Sequence, residues 1–343
     1  MPRLSVIMPV YNGEKHLTQA IESILQQTYE DFEFIIICEY GTNKSSLDII
    51  SKYKAQDNRI VVVYNTSRLG IAASLNIGFK TSKSEYLARM DGDDIALPER
   101  LAVQVKFMDD NLDVSICGSK VVYIDEAGRD FYQKDHLSEN PKQIKADFLF
   151  YCFIHHPTIV FRKSDVIKHN LYYDETFVTA EDHELWCRAS HLVEICKIPE
   201  ILLKYRWHLK SASHAKRNTS AEYELKIIRC SLAKLGINTS DEELVYLCRM
   251  TCHESFFNCR KIEEILNSFY NLIIEKNLEL LIYDIDCLKR VLDRRMYWKH
   301  HKVRRYAVIL IKSIAKILSN EMLFSMAIYL ELNGFISIIK RIL

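Results

Sequence analysis

Short apolar runs alternate with helical stretches through the first part of the chain. Leu4–Val10, Phe34–Cys38, Ile60–Tyr64 and Tyr86–Met90 are dense in Ile, Val, Phe and Tyr, and they are separated by segments over about 15–27, 45–55 and 70–81 whose apolar residues recur at helical spacing. Runs of this length read as buried strands, and the segments between them as crossover helices. The pattern predicts an α/β domain: a mainly parallel sheet flanked by helices, with ligands at the carboxyl ends of its strands. Leu97-Pro98-Glu99 opens one more helix, because Pro is tolerated in a first turn and an acidic residue there meets the positive end of the helix dipole.

The punctuation then disappears. All six prolines lie at or before Pro199, and only Gly236 and Gly334 of the nine glycines lie beyond Gly128. A chain without turn formers is expected to be nearly all helix. The boundary is placed at residue 215, within the polar stretch 210–220, so that 1–215 forms the α/β domain and 216–343 a helical C-terminal domain; 343 residues suffice for two cores.

Charge sharpens this division. The net charge is +1, yet residues 1–215 carry 25 Lys and Arg against 30 Asp and Glu, while 216–343 carry 21 against 15. Eight Lys and Arg and no acidic residue lie between Arg294 and Asn320, where "KVRRYAVILIKSIAKIL" has the pattern of a basic amphipathic helix. Such a helix serves either as peripheral contact with an anionic membrane or as a packing face for the catalytic domain or a second subunit in a homo-oligomer. Met322–Leu330, the longest uncharged apolar stretch near the end, falls far short of the ~20 residues a spanning helix needs. Ten cysteines without a C-x-x-C pair, and no signal-peptide pattern after Met1, point to a cytoplasmic location, at the membrane's cytoplasmic face if the basic helix binds lipid. Cys248, Cys252 and His253 share a helical spacing without a fourth ligand and read as packing rather than a zinc site. An acidic first half without a basic, aromatic face excludes nucleic acid as a partner.

The densest chemistry follows the fourth apolar run. Tyr86-Leu87-Ala88 leads into Arg89-Met90-Asp91-Gly92-Asp93-Asp94, three carboxylates where a sheet presents its carboxyl edge. Charges this crowded repel, and protonation or a bound cation relieves them. A hard cation such as Mn²⁺ or Mg²⁺ suits one or two carboxylates together with phosphate oxygens, and Gly92 lets the backbone approach a ligand. Taken alone, the same run is equally a solvated turn capping the next helix.

Its neighbours decide between these readings. "SVIMPVYNGEKHLTQAIESILQQTY", "NTSRLGIAASLNIGF", "ARMDGDDIALPERL", "HHPTIVFRKS", "AEDHELWCRA" and "YRWHLKSAS" follow one another over about residues 4–214. Together they resemble family 2 glycosyltransferases of the GT-A fold. The resemblance implies a nucleotide-diphospho-sugar transferase that inverts the anomeric centre, uses a divalent cation (Mn²⁺ or Mg²⁺), and passes a sugar to a hydroxyl of a saccharide or lipid-linked acceptor in cell-surface polysaccharide or glycolipid synthesis. It places Pro9 and Tyr11 against the base, Arg68 and Gly70 at the donor, Asp91 near the ribose, Asp93 on the metal with Asp94 supporting the loop, and His208 on the metal or diphosphate. Asp182, the second acid of Glu181-Asp182, takes the role of general base, although two acids at a helix start also stabilise it by ~0.3–1 kcal/mol without catalysis. His156 shapes the acceptor side, and Trp186 stacks on an acceptor sugar or fills the core.

One block departs from the family pattern. Cys38-Glu39-Tyr40-Gly41 stands where two adjacent aspartates are usual. Glu39 keeps a carboxylate, one methylene longer, able to accept from a pyrimidine N–H or a ribose hydroxyl, which leaves UDP and dTDP donors both open. The altered turn also motivates a second reading, a sugar-nucleotide binding protein without activity. A third, a nucleotidyltransferase, lacks the glycine-rich phosphate loop expected near the first strand.

Overall fold

The structure, a computed structural model, describes residues 1–132, 140–207, 217–248 and 259–294. His208, Cys252, His253 and the basic segment beyond residue 294 lie outside the described residues. The chain divides into two compact units, Met1–Asn238 and the remainder from Thr239.

The first unit begins as the hydrophobic pattern predicts. Strands β1 (Leu4–Val10), β2 (Phe32–Cys38), β3 (Ile60–Tyr64) and β4 (Tyr86–Arg89) alternate with helices α1 (Leu17–Leu25), α2 (Lys44–Gln56) and α3 (Ile71–Thr81). All four strands run parallel, with Leu4 opposite both Phe32 and Tyr86, and Phe34 opposite Ile60. Then follow β5 (Ile95–Ala96), α4 (Arg100–Asp110), β6 (Val114–Ile124), β7 (Asp130–Tyr132), α5 (Pro141–Asp147), a 3-10 turn at His156–Thr158, β8 (Val160–Arg162), α6 (Lys163–Lys168), α7 (Glu181–Ala189) and β9 (Glu194–Arg206). The strand order is β3-β2-β1-β4-β8-β6-β9-β5, with β7 paired to β6. Because β8 runs antiparallel to both β4 and β6 the sheet is mixed, while β6 and β9 pair in parallel again, in keeping with a mainly parallel sheet. The later strands escape the early rhythm: β8 has three residues, whereas β6 and β9 have 11 and 13.

Alternation along β1 feeds two cores. Val6 and Met8 pack with Ile21 and Ile24 of α1 and Leu101 of α4, while Ile7 joins Ile35, Ile37, Leu75, Phe79 and Trp186 on the other face. A side chain at Gly78 would run into Ile7, so glycine is what lets α3 lie against β1.

Trp186 takes the second of the two roles open to it. It is fully buried, its ring 5.7 Å from Phe161 and 5.9 Å from His156, so it fills the core and offers no face to a sugar. Trp186→Ala is expected to lower the stability of this unit by about 3–5 kcal/mol, read as a shift of the urea midpoint at constant slope.

Helix α8 (Arg217–Lys234) also belongs to the first unit, which therefore runs past residue 215. Its Ile227 joins the Trp186 core, and the Tyr223 ring lies 5.2 Å from Phe177. The second unit contains α9 (Asp241–Cys248), α10 (Cys259–Leu280) and helical residues 285–294. Beyond Trp207 no strand occurs among the described residues, and no helix there is long and apolar enough to cross a membrane.

Candidate active site

β4 delivers the acid run. It ends on Arg89, buried at 3% exposure, whose guanidinium pairs with Asp91 and donates to Asp91 Oδ2 at 2.5 Å. Asp91, Asp93 and Asp94 then bring one carboxylate oxygen each within 4.8 Å of the others, the one such group among the described residues able to hold a metal ion. Arg206, at the end of β9, clamps the run: its N–H donates to Asp94 Oδ1 at 2.7 Å, its Nε to the Asp93 carbonyl at 2.8 Å, and its Nη2 to Gln19 at 2.9 Å.

The charge is only partly compensated. Burial, opposed by Arg89 and reinforced by Asp93, pushes the Asp91 carboxyl up to about 6. Burial together with Asp91 and Asp93 raises Asp94 well above the ordinary carboxylate range, and its Oδ2 is buried without a hydrogen-bond partner. Oxygen ligands at this spacing, with an excess of negative charge and an unpartnered buried oxygen, fit a hard divalent cation.

At the carboxyl end of β1, Pro9 sits opposite Ile37. Tyr11 is 44% exposed, and the Arg68 guanidinium lies 4.5 Å from its ring centroid, a cation–π contact. Asn12, at φ 52°, accepts the Asn43 N–H at 2.7 Å and ties the loops after β1 and β2 together. Gly70 has φ 86°, a left-handed conformation that suits glycine, at the start of α3.

Glu39 is not open to a ligand as its position suggested. Its Oε2 accepts the Gly70 N–H at 2.7 Å and the Leu69 N–H at 3.2 Å, and Oε1 accepts the Tyr40 N–H at 2.8 Å with the Asn65 amide at 3.4 Å. Burial pushes this carboxyl upward, but the backbone donors outweigh it and hold the group below its usual range. The carboxylate therefore staples the loop carrying Arg68 and Gly70. Cys38 beside it is 2% exposed, its thiol pushed up to about 11 by burial and hence neutral.

α7 brings two further carboxylates towards the acid run. Ala180 caps it at φ 59°, an unusual left-handed non-glycine residue, and turns Glu181 and Asp182 into the first turn. Asp182 is half-buried; its Oδ1 accepts the His183 N–H at 2.8 Å and its Oδ2 faces the Cys152 thiol at 3.9 Å. Its charge reaches the acid run, since it contributes to the upward shift of Asp91. Glu181 is buried, 3.8 Å from Nδ1 of His156, and burial together with Asp182 pushes it up to about 8. His156, with Tyr173 OH at 2.7 Å from Nε2, is held well below its ordinary value by burial and by Arg89. Both partners are thus mostly neutral near pH 7, leaving Asp182 beside an uncharged pair.

The structure therefore gathers Asp91, Asp93, Asp94, Glu181, Asp182 and His156 about Arg89, and ties Tyr11 to Arg68 and Gly70 to Glu39 in the loops after β1, β2 and β3. The resemblance gives Arg89 and Arg206 no role, although an arginine at the end of the apolar strand Tyr86-Leu87-Ala88-Arg89 is a signal of a buried charge partner.

A profile described as Glycosyl transferase family 2 matches residues 5–169. An uncharacterized glycosyltransferase of Methanocaldococcus jannaschii is 38% identical over 207 residues, covering 60% of this chain and 71% of that one. The O-antigen biosynthesis glycosyltransferase WbnJ of Escherichia coli is 33% identical over 224 residues, covering 64% and 85%. Among solved structures, S. aureus TarS in complex with UDP-GlcNAc aligns at a TM-score of 0.59 over 85% of this chain and 90% of that one, with 18% identity, a likeness of fold.

Proposed function

The chain belongs to glycosyltransferase family 2, and from that premise we propose that it transfers a sugar from a nucleotide-diphosphate donor to a hydroxyl acceptor with inversion, using Asp182 as general base. The observation that carries this reading is the convergence, about Arg89, of the acid run that follows β4 with a half-buried carboxylate at the start of α7. The base of a uridine or thymidine diphosphate would pack on Tyr11 and Arg68 with Pro9 beneath it, and Asp91 would meet the ribose. Asp93 would hold the cation, Mn²⁺ or Mg²⁺, with Asp94 supporting the loop, and His208, outside the described residues, would be a further ligand. When bound there, the cation supplies positive charge against the departing diphosphate.

The chain's own residues do the rest. Asp182 accepts the proton of the acceptor hydroxyl as that oxygen attacks the anomeric carbon from the face opposite the nucleotide. A single displacement of this kind inverts the centre. Arg89 offsets part of the charge of the acid run through its pair with Asp91, which lessens the repulsion that a phosphate would meet there. Glu181 and His156 support the acceptor side without adding charge. The likeness to WbnJ favours an acceptor in cell-surface polysaccharide assembly. With a lipid-linked acceptor, the basic segment 294–320 would hold the enzyme at the cytoplasmic face of an anionic membrane.

The test is a panel of UDP-, dTDP- and GDP-sugars with Mn²⁺ or Mg²⁺, scored for nucleotide release. Release from one donor series, dependent on the cation, is expected. Binding of a nucleotide sugar without any release would favour the silent binding protein, and neither binding nor release would remove the reading.

Glu39 gives a second check. Glu39→Gln sets an amide N–H₂ against the N–H of Gly70 or Leu69 and frees the Arg68 loop. Losing hydrogen bonds to a charged group costs about 1.5–3 kcal/mol, so the donor KM should rise roughly tenfold or more with kcat little changed. The same rise for UDP- and dTDP-sugars is expected, because the carboxylate acts on the loop and not on the base.

A further inference from the structure

We propose that Phe131 and Trp207 form a stacking subsite for a pyranose ring of the acceptor, a proposal that rests on the transferase reading above and replaces Trp186 in that role. Phe131 lies on β7 and Trp207 directly after β9, and both strands pair with β6, which brings the two rings together. Their centroids are 6.4 Å apart with the planes at 72°, so the two rings meet edge to face in one aromatic surface. Phe131 is 54% exposed and Trp207 43% exposed, two large rings left facing solvent at one place.

The location matches the chemistry an acceptor needs. The main chain at Trp207 is anchored by its backbone N–H, which donates to the Ile124 carbonyl at 2.9 Å, and it follows Arg206, which holds Asp93 and Asp94. From Phe131 the aromatic wall continues to Tyr123 at 6.2 Å, and from there to Tyr205 at 5.4 Å and His155 at 5.5 Å. His155 precedes His156, which faces Glu181 beside Asp182. Tyr205 lies within the field of Asp91, Asp93 and Asp94, so this end of the wall stands beside the acid run that an attacking hydroxyl must approach.

Its composition points to a sugar. The C–H face of a pyranose packs on aromatic faces while its hydroxyls need polar partners at the edges. Here the Tyr123 hydroxyl and His155 Nε2 lie 2.8 Å apart along the wall, and the Lys204–Asp130 pair at 3.0 Å closes its rim. A surface for acyl chains would instead be apolar throughout.

The test uses methyl and octyl glycosides of glucose, galactose, N-acetylglucosamine and N-acetylgalactosamine as acceptor probes, with the donor found by the nucleotide panel. Trp207→Ala and Phe131→Ala should each raise the KM of the best glycoside about tenfold, leave the donor KM within twofold, and retain the wild-type melting temperature; Trp207→Phe should recover most of the loss. An unchanged glycoside KM in both variants, or no wild-type response to any glycoside, would overturn the subsite. Loss of binding to phosphatidylglycerol vesicles with the glycoside KM intact would assign the rings to a membrane and also overturn it. Failure of the transferase reading would look different, as no nucleotide release by the wild-type enzyme with any donor.

Discussion

Asp182→Asn should lower transfer by about 10²–10⁴-fold while the donor KM stays within about threefold, because proton removal is lost and donor contacts are not. The amide still accepts the His183 N–H through its oxygen, so the first turn of α7 keeps its form. What it cannot do is take a proton from the attacking hydroxyl. Glu181, one residue earlier, provides the contrast. Its carboxyl is pushed up to about 8, first by burial and then by Asp182, so at pH 7 it is mostly protonated and close in shape to glutamine. Glu181→Gln should therefore cost less than about tenfold at pH 7. The sign of its pH effect also follows. A raised carboxyl is neutral below its own value and gains a negative charge as pH rises through about 8, next to Asp182 and within the field of Asp91. Wild-type donor affinity should weaken above that pH, and Glu181→Gln should not show the change. Steady-state kinetics of the three proteins between pH 6 and about 9 separates base from neighbour.

The second large effect concerns the acid run. Chelation by EDTA, or Asp93→Asn in the presence of Mn²⁺, should each lower nucleotide release by on the order of 10²–10³-fold, the size seen when charge stabilisation of a reacting oxygen is removed. Repulsion supplies an independent readout. Asp91, Asp93 and Asp94 lie within 4.8 Å of one another, and Arg89 and Arg206 offset only part of their charge. Mn²⁺ should therefore raise the melting temperature of the wild-type protein and do so much less in Asp93→Asn, since a ligand that binds only the folded state stabilises it. Full activity in EDTA would remove the assignment of Asp93.

How much of this was legible depended on how local each signal was. β1 to β4 declare themselves as short apolar runs between helical periods, and the acid run and Glu181-Asp182 are contiguous in the chain. The mixed half of the sheet was not legible, because β8 is too short for a pattern and β9 pairs with both β6 and the two-residue β5. Glu39 misled because its partners are backbone N–H groups of Leu69 and Gly70, whose donors no side-chain pattern reveals. Trp186 was ambiguous since helical spacing does not say which face of α7 is covered by Phe161. The boundary near 215 shifted because Ile227 and Tyr223 of α8 pack into the first unit, a contact that composition does not encode.

The central claim is a single displacement assisted by Asp182, and its stereochemistry can be watched directly. Proton NMR of an α-linked UDP- or dTDP-sugar incubated with the enzyme and its best glycoside acceptor resolves the anomeric signal of the new linkage as it forms. A product of β configuration, formed by wild type and nearly absent with Asp182→Asn, is the predicted result. A product that keeps the donor's α configuration, or one formed at the wild-type rate by Asp182→Asn, would contradict it.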